Sequence, residues 1–151
     1  MVSIGGGNVM SLHHKYRVLL VDDCVPVRIT LRSMLTGYPD LQIVGEACDG
    51  KQAIEQVAAC QPDIILMDYH MPVMNGIEAA RLIKKSWEAT VIIGLCTVPD
   101  TFVTDGFLNA GALAVVHKER IEHLHSAIQR VFPKRASSDC LIAQHSTAQS
   151  R

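Results

Sequence analysis

Five short apolar runs recur along this chain, and each gives way abruptly to polar residues. They are Arg17–Val21 before Asp22-Asp23, Leu41–Ala47 before Asp49-Gly50, Ile64–Met67 before Asp68, Val91–Leu95 before Cys96-Thr97, and Leu113–Val116 before His117-Lys118. Runs this short, apolar at consecutive positions and bounded by turn residues, read as strands buried on both faces, as parallel strands are. Helical periodicity fills the gaps. Val27, Leu31, Met34 and Leu35 share one helix face, with Pro26 suited to its first turn and Gly37-Tyr38-Pro39 ending it. Ala53, Ile54 and Val57 head a second helix, and Ile77, Ala80, Ile83 and Trp87 mark a third. A weaker pattern runs from Pro99-Asp100 through Val103 and Phe107, and Ile121, Leu124, Ile128 and Val131 make the clearest helix.

Five strands alternating with five helices predict an α/β fold, a parallel sheet covered on both faces. Right-handed crossovers then put the carboxyl end of every strand on one rim. In open sheets of this kind that rim is where ligands bind.

The 151 residues fit one domain with tails. The expected division is a flexible arm over 1–15, a domain over 16–132 and a tail or linker over 133–151. Gly5-Gly6-Gly7 has no side chain to bury, and the Ser-, Gln- and Ala-rich stretch after Pro133 has no periodicity. His13 and His14 in such an arm read as solvated residues rather than metal ligands. Net charge is −1 and the pI about 6.6, so the basic footprint of a nucleic-acid-binding chain is missing. No apolar run approaches the ~18 residues of a membrane span, and the first fifteen residues lack the apolar core of a secretory signal. A cytoplasmic protein is expected. The five cysteines, Cys24, Cys48, Cys60, Cys96 and Cys140, form no C-x-x-C pair and read as free thiols, Cys48 and Cys60 as small buried hydrophobes.

The rim gathers residues far apart in sequence: Asp22 and Asp23 from the first strand, Asp68 from the third, Cys96 and Thr97 from the fourth, Lys118 from the fifth. Three acids together repel one another, and a divalent cation with an ammonium group relieves the conflict. Mg²⁺ suits this oxygen-lined set, because it needs one or two carboxylates, waters and phosphate oxygens. The chemistry indicated is phosphoryl transfer, with a carboxylate as nucleophile forming an acyl phosphate.

These residues resemble the receiver domain of two-component response regulators. The resemblance rests on Val18-Leu19-Leu20-Val21-Asp22-Asp23, on Asp68-x-x-Met71-Pro72-x-Met74-x-Gly76, on Asn109-Ala110-Gly111-Ala112 and on Lys118, and it covers residues 16–132. Gly45-Glu46-Ala47-x-Asp49-Gly50 and Gly94-Leu95 look most like receivers that precede helix-turn-helix DNA-binding domains. The resemblance implies a flavodoxin-like, doubly wound sheet of order 2-1-3-4-5. It implies that Asp68 accepts a phosphoryl group from a histidine kinase or phosphotransfer protein. Asp22, Asp23, Asp68 and the backbone carbonyl of His70 would hold Mg²⁺, and Lys118 would pair with the phosphoryl oxygens. Such domains act as switches rather than enzymes: they catalyse their own phosphorylation and its hydrolysis, and they change a surface read by a downstream protein or a second copy. In the family, positions such as those of His70 and Val98 influence phosphoryl lifetime.

Two positions depart from the family pattern. The Ser or Thr commonly found 22 positions before the lysine is Cys96 here, and a thiol is a weak donor. Thr97 is adjacent, but alternation along a strand points it to the other face. The Tyr or Phe often found three residues before the lysine is Val115. An interaction module with muted switching is therefore the main competing expectation. A redox sensor using Cys24 and Cys96 is weaker, because neighbouring carboxylates suppress the thiolate. A hydrolase acting on external phosphate esters lacks an evident general acid.

Overall fold

The computed structural model describes residues 14–132. The elements run β1 (Tyr16–Val21), α1 (Val25–Thr36), β2 (Leu41–Ala47), α2 (Gly50–Cys60), β3 (Ile64–Asp68), α3 (Gly76–Ser86), β4 (Val91–Cys96), α4 (Thr101–Asn109), β5 (Ala114–His117) and α5 (Leu124–Val131). A 3-10 helical segment, Lys118–His123, joins β5 to α5. The strands form one sheet of order β2-β1-β3-β4-β5, parallel at every pairing. This is the doubly wound, flavodoxin-like fold expected from the alternation and the resemblance.

Alternation along the strands builds two cores. Val18, Leu20, Ile64, Leu66, Ile93 and Leu95 meet Leu31 and Leu35 of α1 and Leu124 and Ile128 of α5. Leu19, Val21, Ile65, Met67 and Ile92 meet α2, α3 and α4 through Val57, Ile83 and Phe107 among others. Consecutive strand residues thus serve opposite faces, which is why the runs are apolar throughout. Three helices start with side-chain caps: Asp49 accepts from the Gln52 N–H, Asn75 from the Glu78 N–H and Asp100 from the Phe102 N–H. Each cap satisfies an N–H that has no partner within its helix.

Several expectations need correction. The fifth strand begins one residue later than its apolar run: pairing with β4 starts at Ala114 opposite Ile93, and Leu113 before it is 52% exposed. The last helix does not include Ile121: the backbone at Arg120 leaves helical geometry, with φ −118° and ψ 37°. Ile121 still packs on the α1–α5 core from the 3-10 segment. Cys48 and Cys60 are half-buried rather than buried. The Cys48 thiol lies 3.1 Å from Gln52 Oε1, and Cys60 packs at the margin of the core. The expected tail, 133–151, and all of the expected arm except His14 and Lys15 lie outside the described residues.

Candidate functional site

The end of β1, the end of β3 and the residue after β5 bring Asp22, Asp68 and Lys118 into contact. Lys118 Nζ lies 2.5 Å from Asp22 Oδ2 and 2.9 Å from Asp68 Oδ1. Asp22 is fully buried, and Asp68 is 3% exposed. Asp23 follows on the solvent side, exposed. One carboxylate oxygen from each of Asp22, Asp23 and Asp68 falls within 4.8 Å of the others. The sequence-predicted acids and the lysine therefore form one cluster.

Charge is unbalanced there. Burial pushes the Asp68 carboxyl above its ordinary value; the Lys118 hydrogen bond opposes this and the Asp22 charge adds to it. For Lys118, burial disfavours the ammonium, yet its close contacts with the Asp22 and Asp68 carboxylates, and their charges, outweigh it and raise the pKa. Asp22 Oδ1 accepts the Cys24 backbone N–H at 2.9 Å. Asp22 Oδ2, although close to Lys118, has no partner with hydrogen-bond geometry among the described residues. The short contact is thus an ion pair poorly directed as a hydrogen bond. A buried carboxylate oxygen with a free lone pair, beside two further carboxylates, fits a hard divalent cation such as Mg²⁺.

The loops hold these groups in place. A Cβ on Gly76 would lie 2.0 Å from the Asp68 carbonyl oxygen, so α3 docks directly against the strand end that carries Asp68. The Gly76 N–H donates to the Tyr69 carbonyl at 3.1 Å, and the Gly50 N–H to the Met74 carbonyl at 3.1 Å, tying the loop to α2. Between them Val73 has φ 68°, inside a turn closed by the Met74 N–H and the Pro72 carbonyl at 2.7 Å. A β-branched residue there is strained. The side chain of His70 is exposed.

Arg28, which the sequence analysis passed over, clamps the other loop. Its Nη1 donates to the Asp22 carbonyl at 2.6 Å, and its Nε pairs with Glu46 at 2.9 Å. The signal was available in principle: an arginine one helical turn past the acid pair, facing a β2 glutamate.

Cys96 and Thr97 part company. Cys96 is 4% exposed and near enough to feel the charges of Asp68 and Lys118. Thr97 is exposed. Burial, then the charges of Asp100 and Asp68, push the Cys96 thiol up, with Lys118 opposing. A buried, protonated thiol is a poor redox sensor. Its sulfur lies 3.6 Å from His117 Nδ1 and 4.0 Å from the Val116 carbonyl oxygen. Val115 packs at the margin of the same core. The sequence analysis took His117 only as a strand end.

Residues 18–129 match the response regulator receiver domain. The chain belongs to this family. Among relatives, it is 38% identical over 109 residues to a protein-glutamate methylesterase/protein-glutamine glutaminase of Methanosarcina acetivorans, covering 72% of this chain and 27% of that one. The receiver thus spans about a quarter of that relative. The response regulator domain of Thermotoga maritima CheB superposes with a TM-score of 0.72 at 31% identity, covering 78% of this chain and 96% of that one. A two-component response regulator of the LuxR family from an Aurantimonas species gives 0.75 at 30% identity, covering 83% and 91%. This receiver is therefore a two-component signalling domain, similar both to a methylesterase receiver and to a LuxR-family receiver. Among the described residues, no helix is long and apolar enough to cross a membrane.

Proposed function

We propose that this receiver is a phosphorylation-dependent switch in which Asp68 is the phosphoacceptor. One observation carries the reading: Lys118 bridges Asp22 and Asp68, and Asp23 completes an acidic set with one carboxylate oxygen from each residue within 4.8 Å of the others. Asp22, Asp23, Asp68 and the His70 backbone carbonyl would hold Mg²⁺. When bound, the ion neutralises the carboxylates and the incoming phosphoryl oxygens. An Asp68 oxygen attacks phosphorus of a phosphohistidine, the N–P bond breaks, and an acyl phosphate forms. Lys118, already directed at Asp68, pairs with a phosphoryl oxygen. The donor is a histidine kinase or phosphotransfer protein in the cytoplasm, and the output is a changed surface read by a protein target or a second copy. The chain itself neither binds nucleic acid nor inserts in a membrane. Its chemistry is limited to its own phosphorylation and the hydrolysis of that bond. The LuxR-family likeness and the Gly45–Gly50 segment support kinship with receivers that precede DNA-binding domains.

A second reading, a protein-interaction module with muted switching, is favoured by two features. The residue in the Ser/Thr position is a thiol held near His117 and the Val116 carbonyl, and Val115 stands where the family often has an aromatic ring. Intact-mass measurement after incubation with acetyl phosphate and Mg²⁺ tests the chemistry. The mass of one phosphoryl group should be gained, and it should be lost with Asp68→Asn or with chelator. No gain in the native chain sinks the switch reading.

A further inference from the structure

Asp22 is tied to three different parts of the chain. Its N–H donates to the Ala47 carbonyl of β2 at 3.1 Å. Its carbonyl accepts Arg28 Nη1 of α1 at 2.6 Å. Its Oδ1 accepts the Cys24 N–H, within the loop, at 2.9 Å. Oδ2 is left to the acid cluster, buried and without a directed hydrogen bond. The carbonyl contact has a particular consequence. β1 ends at Val21 and α1 begins at Val25, so both acids lie on the short connection of Asp22, Asp23 and Cys24. The Asp22 carbonyl belongs to the planar peptide that joins the two acids. Fixing that oxygen fixes the plane, and with it the direction in which both side chains leave the backbone.

We infer that Arg28 is a positioning residue for the divalent cation: by fixing the peptide between Asp22 and Asp23, it sets the affinity of the acid cluster for Mg²⁺. This deepens the switch reading and rests on it, because that reading puts Mg²⁺ in the cluster. Arg28 is itself held. Its Nε donates to Glu46 Oε2 at 2.9 Å, and a guanidinium is a rigid planar fork, so Glu46 also sets the direction of Nη1. The Arg28 side chain is 14% exposed, which leaves little water to take its place. Arg32 holds the other Glu46 oxygen through Nε at 2.8 Å and Nη2 at 2.6 Å, but among the described residues it makes no hydrogen bond to the Asp22–Cys24 connection. The carboxylates of Asp22, Asp23 and Asp68 repel one another. Without the tether the connection relaxes apart, and drawing it back costs binding energy. Charge alone works in the opposite sense, because removing a cationic group favours Mg²⁺. The sign of the effect therefore separates positioning from electrostatics.

The test is calorimetric titration of the whole chain with Mg²⁺, with no phosphodonor present. Arg28→Met keeps the stem and loses both donors, and it should bind Mg²⁺ about 10-fold more weakly. Arg28→Lys, which keeps a donor but not the fork, should fall between Arg28→Met and the native chain. Arg32→Met removes the same charge and the more exposed partner of Glu46, and it should stay within about twofold of the native chain. The Asp22 carbonyl carbon resonance should move in Arg28→Met before any Mg²⁺ is added, and stay in place in Arg32→Met. If Arg28→Met does not fold, as judged by circular dichroism, Arg28→Lys against Arg32→Met makes the same comparison. Unchanged or tighter Mg²⁺ binding in the Arg28 variants overturns the inference, and so does an equal loss in Arg32→Met. Absence of Mg²⁺ binding by the native chain overturns the cation site and the switch reading with it.

Discussion

Gly94 lies under the ring of Phe107, and a methyl group there has no room. A Cβ on Gly94 would sit 2.6 Å from Phe107 Cδ2, 2.8 Å from Cγ and 3.0 Å from Cε2. Carbon–carbon contacts settle at about 3.5–4.0 Å, so the ring must retreat by roughly 1 Å. Phe107 is fully buried and carried by α4, so the retreat lifts α4 off the sheet. Overpacking of this kind costs up to about 3 kcal/mol. Loss of glycine's chain entropy returns about 0.5–1 kcal/mol, leaving Gly94→Ala destabilised by about 2 kcal/mol. Phe107→Leu alone should cost about 1–2 kcal/mol by opening space. Combined, the two relieve each other: the double variant should be no less stable than Phe107→Leu, a coupling of about 2 kcal/mol. Urea unfolding followed by circular dichroism measures this, with the slope unchanged if only the native state is affected. Gly94→Ala within about 0.5 kcal/mol of the native chain, or strict additivity in the double variant, would refute the packing account.

Three further outcomes follow from the same geometry. Lys118→Met leaves the buried Asp22 and Asp68 carboxylates without their cation, which should cost about 3–5 kcal/mol in chelator, and Mg²⁺ should restore part of that loss in thermal melts. Val73→Gly removes a strained side chain that is 81% exposed and packs little, so it should stabilise the fold by about 1 kcal/mol; a loss of stability in urea unfolding would contradict the strain. Burial raises the Glu46 carboxyl, but the hydrogen bonds and charges of Arg32 and Arg28 lower it more, so its folded pKa is depressed. That contribution is complete above the ordinary carboxylate range and is lost as pH falls through the folded value. The stability gap between the native chain and Glu46→Gln should therefore be widest near neutral pH and close in acid, and a gap independent of pH rules the pairing out.

Much of the fold was legible because burial on both faces leaves a continuous apolar signature, as in Ile64–Met67, each fully buried. The rim cluster was legible because topology alone sends strand ends to one side. Less legible was anything set by one local geometry. Leu113 is apolar in sequence yet lies outside the strand, and Ile121 fits the helical spacing although the backbone at Arg120 breaks it. Hydrophobic spacing reports which side chains are buried, and Ile121 is packed against the core either way. Arg28 and His117 were overlooked because the contacts they make cross 18 and 21 positions of sequence, and neither residue type is informative alone.

Backbone amide NMR with Mg²⁺ and beryllofluoride, with Asp68→Asn as control, tests the central claim most directly. Displacement of resonances around Asp68 and also across α4 and β5, absent in Asp68→Asn, is the result expected of a working switch. Displacement confined to the acid cluster would mean that chemistry and output are uncoupled. No displacement and no Mg²⁺ binding would contradict the account.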